Sequence, residues 1–179
     1  MNALNAESAT APFVDLARLH ELEADDKIME FAAFINRNAA GMPFPDYRTM
    51  DLMEIASLVK FIYVIRVEPK DGKRLLFHFS GTAFNEIYEK NVQGLYLEDF
   101  YTGDNRDTVI ENNNAIIDEK RPYYFVNTAE FIQPEYEKRR KIKRLGVPCS
   151  SDGETVNFSI GLVYFDIHAR DDEDLLVPL

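Results

Sequence analysis

The spacing of apolar positions changes period along the chain, and each change predicts an element. Over residues 25–40, Ile28, Phe31, Ala32, Ile35 and Ala39 recur three and four apart, which places them on one stripe of a helix. Asp25 or Asp26 is placed to cap it, and Gly41 followed by Pro43 to stop it. Upstream, Leu16, Leu19 and Leu22 predict a shorter helix. After a Pro-Phe-Pro turn, Thr49 is placed to cap a helix over 50–58, with Asp51 and Glu54 near its positive end.

From Lys60 the period falls to two. Residues 61–67 and 75–79 are rich in aromatic and β-branched side chains, and Asp71-Gly72 lies between them. Glycine accepts the positive φ of a tight turn, so residues 61–80 read as an antiparallel hairpin. A short helix over 83–90 follows, with Phe84, Ile87 and Tyr88 facing inward, and Asn91 and Gly94 end it. A compact segment over 95–101 leads into a longer helix over 105–120, with Val109, Ile110, Asn113, Ile116 and Ile117 on its apolar side and Pro122 beyond its end. Strands over 123–132, 140–147 and 155–167 complete the pattern, the last two joined at Asp152-Gly153.

This order divides the 179-residue chain into an N-terminal helical extension (1–44), a domain (45–168) and an acidic C-terminal tail (169–179). Residues 1–12 are small and polar, and residues 171–174 are all acidic, so both stretches are expected to be loosely held and solvated. With 46% hydrophobic and 28% charged residues the composition is that of a globular protein. The longest apolar runs, such as 160–165, are far short of the ~20 residues that span a bilayer. No secretory signal opens the chain, and a single cysteine, Cys149, fits a reducing compartment, so the expectation is a cytoplasmic protein.

The net charge of −11 opposes binding to phosphate backbones unless cations are gathered in one place. They are gathered once, at residues 138–144, with six cations in seven positions. The run reads first as a solvated strand with cations on both faces. The alternative is a site for nucleic acid or another polyanion, in which Tyr136 stacks on a base.

Catalytic signatures are missing. The sequence contains no P-loop, no G-x-S-x-G and no H-E-x-x-H. His20, His78 and His168 are isolated in sequence, and His78, on a strand face expected to point to water, is a poor axial haem ligand. Cys149, beside Pro148 near a turn, reads as structural, and the pair Glu86 and Glu89 as a solvated helix face.

Two hairpin-linked strands, a helical run and three further antiparallel strands is the chain order of a PAS domain. Local motifs add to it: Phe77-His78-Phe79-Ser80-Gly81-Thr82, a helix, Asn91-Val92-Gln93-Gly94-Leu95, then Glu98-Asp99-Phe100. Later, Arg144-Leu145-Gly146-Val147-Pro148 precedes Ser150-Ser151-Asp152-Gly153. Over residues 45–168 these segments resemble an alphaproteobacterial PAS family of unassigned ligand. The run 136–144 and the N-terminal leader depart from that pattern. The resemblance implies an α+β fold, a five-stranded antiparallel sheet with the helical crossover on one face and the N-terminal helices as an extension.

Such a sheet has one face for the crossover to cover. Alternation then turns Phe61, Tyr63, Ile65 and Val67 toward the helices, with Phe77 and Phe79; Val156, Phe158, Ile160 and Leu162 share a face of the last strand. Thirteen Phe and nine Tyr make a bulky interior in which a ligand cavity of roughly 300 Å3 or more is expected. The candidate pocket residues are Tyr63, Phe77, Phe79, Phe84, Tyr88, Asn113, Ile117, Tyr124 and Phe158. The leading expectation is therefore a non-catalytic sensory module for an unidentified small molecule or a protein partner. No output domain follows the last strand, so it would signal through a regulatory partner, or through a homodimer formed by the apolar stripe of 25–40. The alternatives are a polyanion-binding protein using 138–144 and a small enzyme on the same scaffold. The sequence does not name a cofactor, and that question stays open.

Overall fold

In the computed structural model, which describes residues 11–69, 72–129, 140–166 and 175–179, every period-two segment forms a strand. These are β1 (Ile62–Glu68), β2 (Arg74–Ser80), β3 (Tyr123–Ala129), β4 (Arg140–Ser150) and β5 (Val156–Asp166). A further strand, β6 (Leu175–Pro178), arises where a solvated tail was expected. It pairs with the outer edge of β3, and its half-buried and exposed residues alternate as on a covered edge. The six strands make one antiparallel sheet in the order β2-β1-β5-β4-β3-β6, so the fold is α+β. Inside the sheet β1 pairs with β5, and Ile62 lies opposite Leu162.

The helices are α1 (Leu16–Glu21), α2 (Asp26–Ala39), α3 (Thr82–Ile87), α4 (Leu97–Phe100) and α5 (Asp104–Asp118). Asp25 caps α2, its carboxylate accepting the Lys27 N–H at 2.9 Å, and Gly41 beyond the end takes φ +77°. Asn36 of α2 holds the incoming chain by accepting the Val14 N–H at 2.7 Å and donating to the Val14 carbonyl at 2.9 Å. Residues 50–58 do not form the expected α-helix. Leu52–Ile55 and Val59–Phe61 are 3-10 turns, and Asp51 rather than Thr49 caps the first of them. Ile55 and Leu58 are both buried, and a spacing of three suits the tighter winding, which stacks i over i+3.

The sheet is covered on both faces, where one was expected. On the first face α2 lies on β4 and β5, and Ile28, Phe31 and Ile35 pack with Ile62, Val64, Tyr124, Leu145, Val147, Cys149, Ile160 and Leu162. On the second, α3 to α5 cover Tyr63, Ile65, Phe77, Val156, Val163 and Phe165. The stripe of α2 is thus spent inside its own chain, with Ile28, Phe31, Ala32 and Ile35 at 0% exposure. A homodimer through that stripe would require α2 to leave the sheet.

Two β-bulges break the expected alternation. The β1–β2 register runs from Val64 opposite Phe79 to Ile65 opposite Phe77, leaving His78 as an extra residue. Phe79 therefore falls on the α2 face and Phe77 on the crossover face. His78 is half-buried edge-on to Tyr47 and Phe158, not turned to open solvent. The β4–β5 register runs from Cys149 opposite Phe158 to Ser150 opposite Val156, so Phe158 and Val156 also part company. Asp152 holds the following turn, accepting the N–H groups of Glu154 and Thr155 and the hydroxyl of Ser150; these bonds keep its carboxyl down at about 2.

Asp71, the run 130–139 with Tyr136, the end of the last predicted strand, His168 and the acidic cluster 171–174 lie outside the described residues. Among those described, no helix is long and apolar enough to cross a membrane.

If α2 is a structural layer of the sheet, Phe31→Ala should lower unfolding free energy by about 3–5 kcal/mol, while truncating Met53, 75% exposed, should leave it nearly unchanged. Urea unfolding followed by circular dichroism measures both. A loss under about 1 kcal/mol at Phe31 would mean that α2 is not packed as described.

Candidate functional site

The crossover face carries a concentrated set of aromatic side chains. Phe77 and Phe84 lie 5.4 Å apart between ring centres, Phe84 and Tyr88 4.8 Å, and Tyr88 and Phe100 5.1 Å. Tyr101 closes the group, its ring 6.4 Å from Phe77 and its hydroxyl donating to the Tyr88 hydroxyl at 3.4 Å. Tyr63 comes from the sheet and lies across Gly161, which stands opposite Gly146 in the β4–β5 ladder. A Cβ on Gly161 would meet the Tyr63 ring at 2.3 Å, and one on Gly146 would meet the Ile116 side chain at 2.3 Å. The glycine pair thus dents the sheet where the crossover comes closest.

A small cavity of about 10 Å3 remains among these groups, lined by Tyr63, Phe77, Phe84, Leu97, Tyr101, Val109, Asn113 and Arg144, with Ile65 at its floor. The expected cavity of 300 Å3 is not there; the aromatic rings have filled it, leaving room for about one water molecule. Of the sequence candidates, Tyr63, Phe77, Phe84 and Asn113 line this space, and Tyr88 and Ile117 pack beside it. Phe79, Tyr124 and Phe158 belong to the α2 face and cannot contribute. The bulge at His78 accounts for Phe79, while Phe158 keeps the face of Ile160 and Leu162, and that whole face lies under α2. Tyr124 lies one residue out of phase because β3 turns Tyr123 and Phe125 toward Ile116.

Arg144 and Tyr101 were not among the candidates. Arg144 belongs to the cationic run, but its strand phase turns it toward the crossover, where it is half-buried: Leu145, Val147 and Cys149 face α2, so Ile142, Arg144 and Gly146 face the crossover. The guanidinium lies 5.4 Å from the Phe125 ring centre, and its Nη2 donates to Asn127 Oδ1 at 2.9 Å. Its Nε–H is buried without a hydrogen-bond partner, and among the described residues no carboxylate comes within ion-pair distance of it. Across the cavity Asn113, 5% exposed, donates its Nδ2 to the Val109 carbonyl at 2.8 Å. That bond fixes which end of the amide is nitrogen and leaves Oδ1 buried and unpartnered. Ser159, facing the same way on β5, has an unpartnered Oγ as well.

Burial pushes the hydroxyls of Tyr63 and Tyr88 above the ordinary tyrosine range and that of Tyr101 well above it; the charge of Arg144 opposes the shift in all three. On the α2 face, burial likewise raises Tyr124 and the Cys149 thiol, each to about 12. A second hollow, of about 700 Å3, opens beside Phe13, Asn36 and Met42 at the end of α2. Its amide, Asn36, is already spent on Val14.

Of the cationic run, Lys141 is 5% exposed and Arg144 turns into the core, which removes two of its cations from any flat polyanion surface. Among the described residues no cluster of His, Cys, Asp and Glu has the makings of a metal site. No known family model matches the chain, and no curated protein matches it.

The raised tyrosines have a consequence with a definite sign. Below pH 10, the ordinary tyrosine value, folded and unfolded chains hold these protons equally. Above it the unfolded chain releases them first, so stability is full below about pH 10 and falls as pH rises further. The urea midpoint should drop between pH 9 and 11, with the 295 nm tyrosinate signal of these residues appearing together with unfolding. Free titration of all nine tyrosines near 10 in the folded protein would contradict the burial described.

Proposed function

We propose that the chain is a PAS-type sensory module, non-catalytic, that binds a small molecule between the crossover helices and the second face of its sheet. The observation that carries this reading is the pair of buried, unpartnered polar groups, Arg144 Nε and Asn113 Oδ1, lining one cavity in an aromatic shell. Each such group costs about 1–3 kcal/mol while unpaired, and a ligand that pairs both recovers that cost. The chain order, a hairpin, a crossover and three further antiparallel strands, supports the fold half of the reading.

The cavity, at about 10 Å3, is too small for a ligand, so binding requires the crossover to move. The segment best suited to move is 82–101. There α3 has six residues, α4 has four, and neither has a side-chain cap at its N-terminus. Short uncapped helices hold little stability of their own. A ligand that binds the open form draws population toward it and pays for the opening out of its affinity. Lifting α3 and α4 would alter the sheet under Tyr63 and Phe77. The opposite side of those strands, through Val64 and Phe79, packs with the α1 and α2 layer. That layer is where a regulatory partner or a second copy would read the change.

Hydrogen exchange tests the opening. Amides of 82–101 should exchange at least tenfold faster than those of β1, β4 and β5, and faster still when a bound small molecule holds the crossover open. Native mass spectrometry of freshly purified protein should show an added small mass that denaturation releases. Uniform protection of 82–101, with no released mass and no ligand raising the melting temperature, would end the reading.

A further inference from the structure

We infer that the ligand is a small planar carboxylate that also carries a hydrogen-bond donor, its anionic end held by Arg144 and its donor by Asn113. This rests on the ligand site proposed above and adds its chemical class.

The argument begins with charge. The chain has 31 acidic residues, yet among those described none comes within ion-pair distance of Arg144. Its immediate surroundings are Asn127, Phe125 and the three tyrosines whose hydroxyls feel its charge. A half-buried cation with no counter-ion among the described residues is costly, and an arginine fork matches the two oxygens of a carboxylate. Asn113 adds a second, opposite requirement. With its Nδ2 donating to Val109, the Asn113 atom left without a partner is the Oδ1 acceptor, which repels a carboxylate and selects an O–H or N–H. One group of each kind sits on the cavity wall, so a ligand with an anion at one end and a donor elsewhere satisfies both. The remaining wall is rings: Tyr63, Phe77, Phe84 and Tyr101. Flat apolar bodies stack against such walls in preference to extended flexible ones.

A matched trio of probes isolates each requirement on the full chain: 4-hydroxybenzoate, 4-hydroxybenzamide and benzoate, with affinity measured by calorimetry and tyrosine fluorescence. The inference expects 4-hydroxybenzoate to bind at least tenfold tighter than 4-hydroxybenzamide, which lacks the charge, and several-fold tighter than benzoate, which lacks the donor. Arg144→Gln should abolish the preference for acid over amide while leaving the amide's weak binding intact. Asn113→Leu should abolish the preference for the hydroxyl alone. If either variant fails to fold by circular dichroism, the wild-type ratios still decide. Acid and amide binding equally would overturn the anionic class and leave the pocket standing. Failure of all three probes to bind at millimolar concentration, alongside uniform protection of 82–101, would overturn the inference and the pocket together. Slow bound probes on a surface face are recognised by unchanged exchange at 82–101, and that outcome also counts against the inference.

Discussion

Everything in this fold depends on the burial of the sheet from two sides. In β1 the consecutive residues Ile62, Tyr63, Val64 and Ile65 are all buried, alternately under α2 and under the crossover. Strands at the centre of such a sandwich have no solvent face on which to place polar residues, so they read as apolar runs. The α2 layer supplies half of that burial. The leader is therefore as much a part of the core as the strands are.

The same constraint explains how a cation comes to lie inside. In β4, Leu145, Val147 and Cys149 must meet α2, and the pleat leaves the alternate positions no choice but the crossover side. Arg144 is carried inward by its neighbours. An arginine without function at that place would be a liability of a kind that a single change to leucine or methionine removes at little cost. Around it the Gly146 and Gly161 pair lets Tyr63 and Ile116 come close to the sheet backbone, so the aromatic shell forms tightly about the charge.

Much of the architecture was legible in the residues. The stripe of α2, its Asp25 cap, the apolar side of α5 and five strands in their chain order all follow from spacing. The face assignments followed less well, because a bulge at His78 and another beside Asn157 each invert the phase of a strand, and no residue-level pattern marks them. The first moves Phe79 off the face of Phe77; the second moves Val156 off the face that Phe158, Ile160 and Leu162 share, and that shared face lies under α2. In β3, four consecutive large residues, Tyr123 to Val126, offered no polar position from which to choose a phase, and Tyr124 went to the wrong side. Arg144 was hidden by its company: a cation among cations looks solvated. The signal that would have found it is Ile142, two residues earlier and on the same face.

The pairing of β1 with β5 joins residues a hundred positions apart, Ile62 to Leu162, within the sheet. Contacts of such high sequence separation close late and slowly, since the intervening chain must give up its freedom before they form. Until β5 is made, β1 has no partner on the edge away from β2. Long-range pairings of this kind leave strand edges uncovered until late in folding, the condition under which sheets are prone to join the wrong chain.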